Sequence, residues 1–199
     1  MLFAHQVKSL LMAAVSDHLH KLNRVAALEL ADGTLLNRQG HVSAAADLLA
    51  STLDEIPEGS FRFHHTRFLG ELAHALGRAG ETSKGLEAIG KAIKICDRRG
   101  ERWFFSELLR VEGEIVLMEG GPNAASEAED RFRQSIDWAR RQGALSWELR
   151  SATSLAQLRF GQARNQEARE LLGPIYDGFT EGFETSDLKA AKGLLDGLS

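Results

Sequence analysis

Four helix-like stretches of this chain close on small-residue turns at a nearly constant interval. The turns are Asn37-Arg38-Gln39-Gly40, Gly77-Arg78-Ala79-Gly80, Met118-Glu119-Gly120-Gly121 and Arg159-Phe160-Gly161-Gln162. Gly40, Gly80, Gly120 and Gly161 stand 40, 40 and 41 residues apart. A period of this size marks stacked helix–turn–helix units, each of which buries its apolar face only against its neighbours. Composition agrees with helices throughout. Leu, Ala, Glu and Arg dominate, the single tyrosine and short β-branched runs disfavour strands, and the prolines at 57, 122 and 174 suit turns or helix ends.

Apolar periodicity places helices over about 2–16, 19–38, 42–54, 62–79, 82–98, 102–119, 124–141, 146–161 and 165–180. A last one over 186–198 carries the stripe Leu188, Ala191, Leu194, Leu195, Leu198. No linker or low-complexity tract divides them. The expectation is one domain over 1–199, with units at about 19–57, 61–99, 102–142 and 145–181 and a capping helix at 186–198. Helix 2–16 has an apolar face with no helix before it, which predicts self-association or a homodimer there, because solenoid ends need polar caps.

Charge and cysteine usage narrow the function classes. A net charge of −4 lacks the basic surplus of a nucleic-acid binder, so no direct nucleic-acid contact is expected. One cysteine, Cys96, excludes an internal disulfide and suits a cytoplasmic protein. No apolar run is long enough to span a membrane, and the opening Met1–Gln6 has no signal-peptide pattern.

Overlaying the units gives a second regularity. Small residues on the first helices (Gly33, Ala73, Gly113, Ala156) are followed by small residues on the second helices (Ala45, Gly85, Ala128, Ala168). Four residues on come Leu49, Ile89, Phe132 and Leu172, and three further Thr52, Ala92, Ser135 and Ile175. This spacing resembles the tetratricopeptide repeat, in which small positions let paired helices approach and the large one fills the gap. The period is longer, the motif proline is missing, and Leu69 and Leu109 stand where the motif has tryptophan. The resemblance implies an all-α fold, a right-handed αα-superhelix of about four tetratricopeptide-like helix pairs with N-terminal and C-terminal helices. Three runs are similar to the C-terminal helical region of large bacterial signalling ATPases that carry a cyclase or winged-helix domain. They are Gly100–Trp103 continuing to Glu107–Glu114, Ala128–Ser135 through Arg140–Gly143, and Ser146–Ala156. No Walker-type run is present, so the family's catalysis is not carried over.

Site-like constellations have plainer readings beside them. Glu71-x-x-His74 has di-iron spacing but lacks a second such pair. Asp17-His18-Leu19-His20 offers the wrong acid, and His64-His65 cannot converge on one helix face. Gly77–Lys84 has its lysine after the serine and reads as an inter-helix turn rather than a phosphate loop. Cys96 reads as a buried inert thiol. Trp103, Phe104, Phe105 and Trp147 read as inter-repeat core, with Trp138 packed beside Phe132. No catalytic residue, metal or cofactor is expected.

In the resembling family the first helices line a groove. Carried onto this chain, the groove positions are Thr34 and Asn37; Arg67, His74 and Gly77; Glu107, Arg110 and Glu114; and Arg150, Thr153 and Gln157. Three arginines in one groove suit bidentate capture of a carboxylate, so the expected partner is a protein or peptide with acidic groups. The alternative is a small-effector sensor controlling an attached NTPase, cyclase or DNA-binding domain. The plainer alternative has the arginines pairing with Glu107 and Glu114.

Overall fold

A computed structural model describes residues 24–56 and 64–198. The segment 1–23, which holds the expected helix 2–16 and the Asp17–His20 run, lies outside these residues, as do Pro57 and the rest of 57–63.

Alternating short turns and amphipathic runs give nine described helices and no strand among the described residues. Helix α1 occupies residues 24–39 of the described chain. It is followed by α2 (Val42–Glu55), α3 (His65–Arg78), α4 (Thr82–Arg99), α5 (Phe105–Glu119), α6 (Ala124–Gln142), α7 (Leu145–Gly161), α8 (Asn165–Asp177) and α9 (Ser186–Gly197). Sequential neighbours pack together, and α3, α5 and α7 also touch one another in series, so the first helices of the units form one continuous layer. Helix α9 lies on α7 and α8, burying Leu188, Ala191 and Leu198.

The small-and-large spacing has a direct steric cause. A Cβ on Gly33 would come within 2.7 Å of Leu49, and one on Gly113 within 2.7 Å of Phe132. Both distances are far inside van der Waals contact. In each pair the large residue of the second helix sits on the bare backbone of the first. Leu49, Ile89, Phe132 and Leu172 are all fully buried. At the other small position, a Cβ on Gly85 would stand 3.0 Å from the Ala73 carbonyl, so α4 rests on the backbone of α3.

Three of the four turns that set the period are left-handed caps; the third differs, with Gly120 at φ +82° and ψ −163°. Gly40 (φ +90°) and Gly80 (φ +86°) each end a helix, and the next N–H bonds back into the last turn, His41 to the Leu36 carbonyl at 2.9 Å and Glu81 to the Leu76 carbonyl at 2.9 Å. In the fourth turn the equivalent bond runs from Arg164 to Arg159 at 2.9 Å, and the left-handed residue is Ala163 (φ +58°). Gly161 instead continues α7. The expected glycine turn is therefore displaced by two residues.

Two other expectations shift. Trp103 and Phe104 sit in the turn before α5, which starts at Phe105 rather than 102. Pro174 lies inside α8, on its exposed side, where water reaches the carbonyl left without an N–H partner and the helix ends three residues later. Trp103 and Phe104 pack on Trp147 at 6.4 and 5.9 Å between ring centres. Trp138 packs on Phe105 at 5.3 Å, while Phe132 sits under Gly113.

Where α5, α6 and α7 meet, Ser106, Ser135 and Ser151 are fully buried. Ser135 Oγ donates to the Ser106 carbonyl at 2.6 Å and lies 2.6 Å from Ser151 Oγ; Ser106 Oγ donates to the Ser135 carbonyl at 2.9 Å. Three small hydroxyls thus tie three helices where larger side chains would separate them.

Candidate functional site

The layer formed by α1, α3, α5 and α7 presents a polar inner face, and its side chains form one chain of contacts. Arg78 donates to the Asn37 carbonyl (2.6 Å) and to Asn37 Oδ1 (3.0 Å). The Asn37 amide nitrogen lies 3.3 Å from His74 Nδ1, and His74 Nε2 lies 3.4 Å from Glu114 Oε2. Asn37 Nδ2 is a donor, so it meets His74 Nδ1 as acceptor, and the ring proton then sits on Nε2 facing Glu114. Burial lowers the His74 pKa below the usual imidazole value against the pull of Glu114, so the ring is neutral at pH 7.

Glu114 joins the next link. Arg110 Nη1 binds Glu114 Oε1, and the Ser154 hydroxyl donates to the same oxygen at 3.0 Å. Arg110 also forks onto Glu107, Nε to Oε2 at 2.9 Å and Nη2 to Oε1 at 2.7 Å. Arg150 Nη2 reaches Glu107 Oε1 at 2.7 Å, and its Nε stands 3.8 Å from Asp187 of α9. Glu107 and Arg110 are nearly inaccessible, at 4% and 5% exposure. Burial pushes the Glu107 carboxyl up, but the Arg110 fork and Arg150 outweigh it and hold it below the usual range. The same carboxylates overcome the burial of Arg110 and hold it firmly protonated.

Arg110 therefore belongs to the wall of the groove. Its guanidinium is spent on Glu107, Glu114 and Ser154, a geometry the sequence allowed only as the plainer alternative. Arg150 is one-third exposed but carries Glu107. Asn37 is buried in its bonds to Arg78 and His74, and Thr34 turns back to the Leu30 carbonyl at 3.0 Å. Thr153 likewise donates to the Leu149 carbonyl at 2.8 Å. Gln157 lines a depression of about 210 Å³ with Arg150, Ser154 and Asp187. Arg67 makes no ion pair among the described residues and lies over the Phe68 ring, 5.6 Å from its centre.

Sequence reasoning missed Arg38, Glu71, Arg78, Ser154 and Asp187. Arg38, Glu71 and Arg78 line a smaller depression of about 50 Å³ with Asn37, His74 and Glu107. Burial pushes the Glu71 carboxyl above its usual range, against the lowering effect of Arg38. Arg38 and Arg78 occupy the same position forty residues apart, a signal that would have flagged both.

The other candidates resolve structurally. No group of three metal-ligating side chains converges among the described residues. Cys96 is buried, and burial raises its thiol pKa despite a hydrogen bond to Thr66. No described helix is long and apolar enough to cross a membrane.

No family model matches the sequence, and no curated protein matches it. Solved structures do. The crystal structure of nearly identical TPR-like repeats assigned to a kinesin light chain of Podosopora anserina superimposes with a TM-score of 0.62 at 17% identity, covering 89% of this chain and 86% of that one. A single-substitution variant of the same repeat protein gives 0.63, again at 17% identity, over 89% and 85%. The fold is a tetratricopeptide-like helical repeat array. At this identity the likeness extends to the architecture, and the groove's chemistry is this chain's own.

Proposed function

We propose that this array is a non-enzymatic interaction module whose inner groove holds an extended segment of another protein and engages an acidic side chain at its α1–α3 end. The observation that carries this reading is the uneven use of charge along the groove. Arg110 and Arg150 are ion-paired within the wall, whereas Arg38 and Arg67 have no ion pair among the described residues. Arg38 and Arg67 both lie near enough to Glu71 to lower its pKa, and an incoming carboxylate there would gain guanidinium partners. The likeness to helical-repeat structures supports a protein-binding surface, which is what solenoid inner faces provide.

The resemblance of the runs at 100–114, 128–143 and 146–156 supports a place in, or kinship with, a bacterial signalling or transcription-regulating ATPase acting in the cytoplasm. Self-association through segment 2–16 belongs to the same proposal. Val25, Leu28 and Leu35 on α1 are exposed apolar residues that a second surface would cover, and sedimentation at tens of micromolar tests it, a monomer counting against it. The effector-sensor alternative is favoured by one observation, an apolar cleft between α2 and α4, away from the groove.

The groove reading is tested with arrayed extended peptides bearing Asp or Glu and matched Lys peptides, followed by fluorescence anisotropy. Arg38→Ala with Arg67→Ala should weaken the acidic peptides tenfold or more and leave the melting temperature nearly unchanged. Equal binding by this variant and the parent sinks the assignment.

A further inference from the structure

A cavity of about 700 Å³ lies away from the groove, between the second helices α2 and α4, with α3 as its floor. The floor is mostly apolar, built by Leu53, Leu69, Leu72, Leu76 and Ile95, with the His65 ring beside them. The rim is charged: Lys84, Lys91, Lys94 and Arg98 against Asp54 and Glu87. Lys84 is paired with Glu81, while Lys91 and Lys94 are exposed and make no ion pair among the described residues.

The repeat supplies an internal control. The next gap is made by residues forty positions on in the first helices and forty-three on in the second, the offset from Gly85 to Ala128. There His65 and Ile95 are replaced by Phe105 and Trp138, whose rings pack edge to face at 5.3 Å. Leu72 and Ala88 are replaced by Glu112 and Arg131, which form an ion pair at 3.0 Å. Aromatic rings and a salt bridge thus stand in one gap where the smaller His65, Leu72, Ala88 and Ile95 stand in the other. The rim changes with the floor. Lys84, Lys91 and Lys94 correspond to Glu127, Gln134 and Asp137 in α6, to Glu167, Pro174 and Asp177 in α8, and to Ala44, Ser51 and Asp54 in α2. Among the second helices these lysines stand only on α4, and among the described residues the floor beside them is open.

Size and polarity select the occupant. Along α4 the cleft runs from Lys84 to Arg98, about 21 Å at the helical rise per residue. A helix of that length would fill on the order of 1,700 Å³, so the cleft would take in less than half of it and leave the rest on the surface. An extended peptide would be thin enough, but it would lay its N–H and C=O groups against leucines, where they would lack partners. A hydrocarbon chain has no such groups, and the lysines would hold one anionic head at the rim. We infer that the α2–α4 cleft is a binding site for a single-chain anionic amphiphile, apolar tail on Leu69, Leu72 and Leu76 and charged head at Lys91 and Lys94.

The test uses the full chain and calorimetric titration with dodecanoate and dodecyl phosphate below their micelle concentrations, with dodecyltrimethylammonium as the opposite charge. Saturable binding of either anion at one site is expected, the tighter of the two fixing the head group. Affinity should fall roughly fourfold for each methylene removed from the tail. The cation should bind at least tenfold more weakly. Lys91→Glu with Lys94→Glu, both on the exposed side of α4, should cost tenfold or more with circular dichroism unchanged. His65→Phe with Ile95→Trp copies the filling of the next gap and should abolish binding. Arg38→Ala with Arg67→Ala should leave amphiphile affinity alone, so this site and the groove stand or fall separately. No saturable binding, equal binding of the cation, or insensitivity to both the charge-reversal and the filling variants would overturn the inference.

Discussion

The first two units and the last two share a backbone plan and differ in how they dispose of charge. In α5, α7 and α9 the inner-face charges pair with one another, and Glu107 holds both Arg110 and Arg150. In α1 and α3, Arg38 and Arg67 have no ion pair among the described residues, and Glu71 is a half-buried carboxylate raised in pKa by desolvation. The gaps between second helices differ the same way, filled by Phe105, Trp138, Glu112 and Arg131 in one and left open in the other. Self-neutralised regions of a repeat array hold it together; uncancelled ones are where binding free energy remains to be gained.

The sharpest way to break this contrast is at Glu107. Glu107→Ala leaves the Arg110 guanidinium buried without its fork, and removal of one partner from a buried pair costs roughly 3–5 kcal/mol. Urea unfolding should show that loss; a loss below about 1 kcal/mol would mean the pair is wetter than its burial indicates. A smaller effect of the same kind is expected at Ser135. Ser135→Val removes the hydroxyl shared by Ser106 and Ser151 and should cost about 1–3 kcal/mol by the same measurement.

Acid titration separates Glu107 and Glu129 from Glu71 by sign, and Glu112 of α5, raised by burial despite Arg131, goes with Glu71. Glu107 and Glu129 have lowered pKa values, so their contributions are present above the ordinary carboxylate value and are lost as pH falls. For Glu129, burial is outweighed by hydrogen bonds from Arg164, Arg159 and Arg133, which hold it at about 2. Its window therefore runs from about pH 4.5 down to about 2. Glu71 is raised, so its contribution is full below the ordinary value and declines as pH rises through the raised one. Glu71→Gln should accordingly raise the melting temperature at pH 7, with the gain vanishing toward pH 4, whereas Glu129→Gln should lower it at pH 7. Melting curves across pH 2–8 that showed the same sign for both would contradict the contrast.

How much of this was legible in one dimension follows from what each feature depends on. The stacked pairs were legible because backbone contact at Gly33 and Gly113 demands glycine opposite Leu49 and Phe132, and that demand recurs at a fixed spacing. The groove was legible as a set of positions on the first helices. Its charge state was legible only in part: Glu107 and Glu114 lie on the same helix as Arg110 and could be weighed as its partners, whereas Arg150 reaches Glu107 on α5 and Asp187 on α9, which spacing along one helix does not show. The α2–α4 cleft was invisible to motif reading, since it is made of residues that are smaller than their counterparts. Only superposition of repeat positions in a known fold exposes a deficit of volume.

The smallest expected effect concerns the turn where the two halves also part. Gly40 and Gly80 occupy left-handed backbone freely, while the fourth turn places Ala163 there at φ +58°. A Cβ in that region crowds the following carbonyl and costs roughly 1 kcal/mol, which glycine avoids. The hydrogen bond from Arg164 to Arg159 shows the same cap as in the earlier turns, so the strain is local to one residue. Glycine also loosens the unfolded chain, which offsets part of the gain. Ala163→Gly should therefore stabilise by a net of about 0.5 kcal/mol, a rise of one to two degrees on the order expected for a chain of this size. The control is Gly80→Ala, which recreates the strain in an earlier turn and should destabilise by a similar amount. If both substitutions shifted the melting temperature in the same direction, the caps would not be equivalent, and the regular turn geometry that joins the two halves would need another cause.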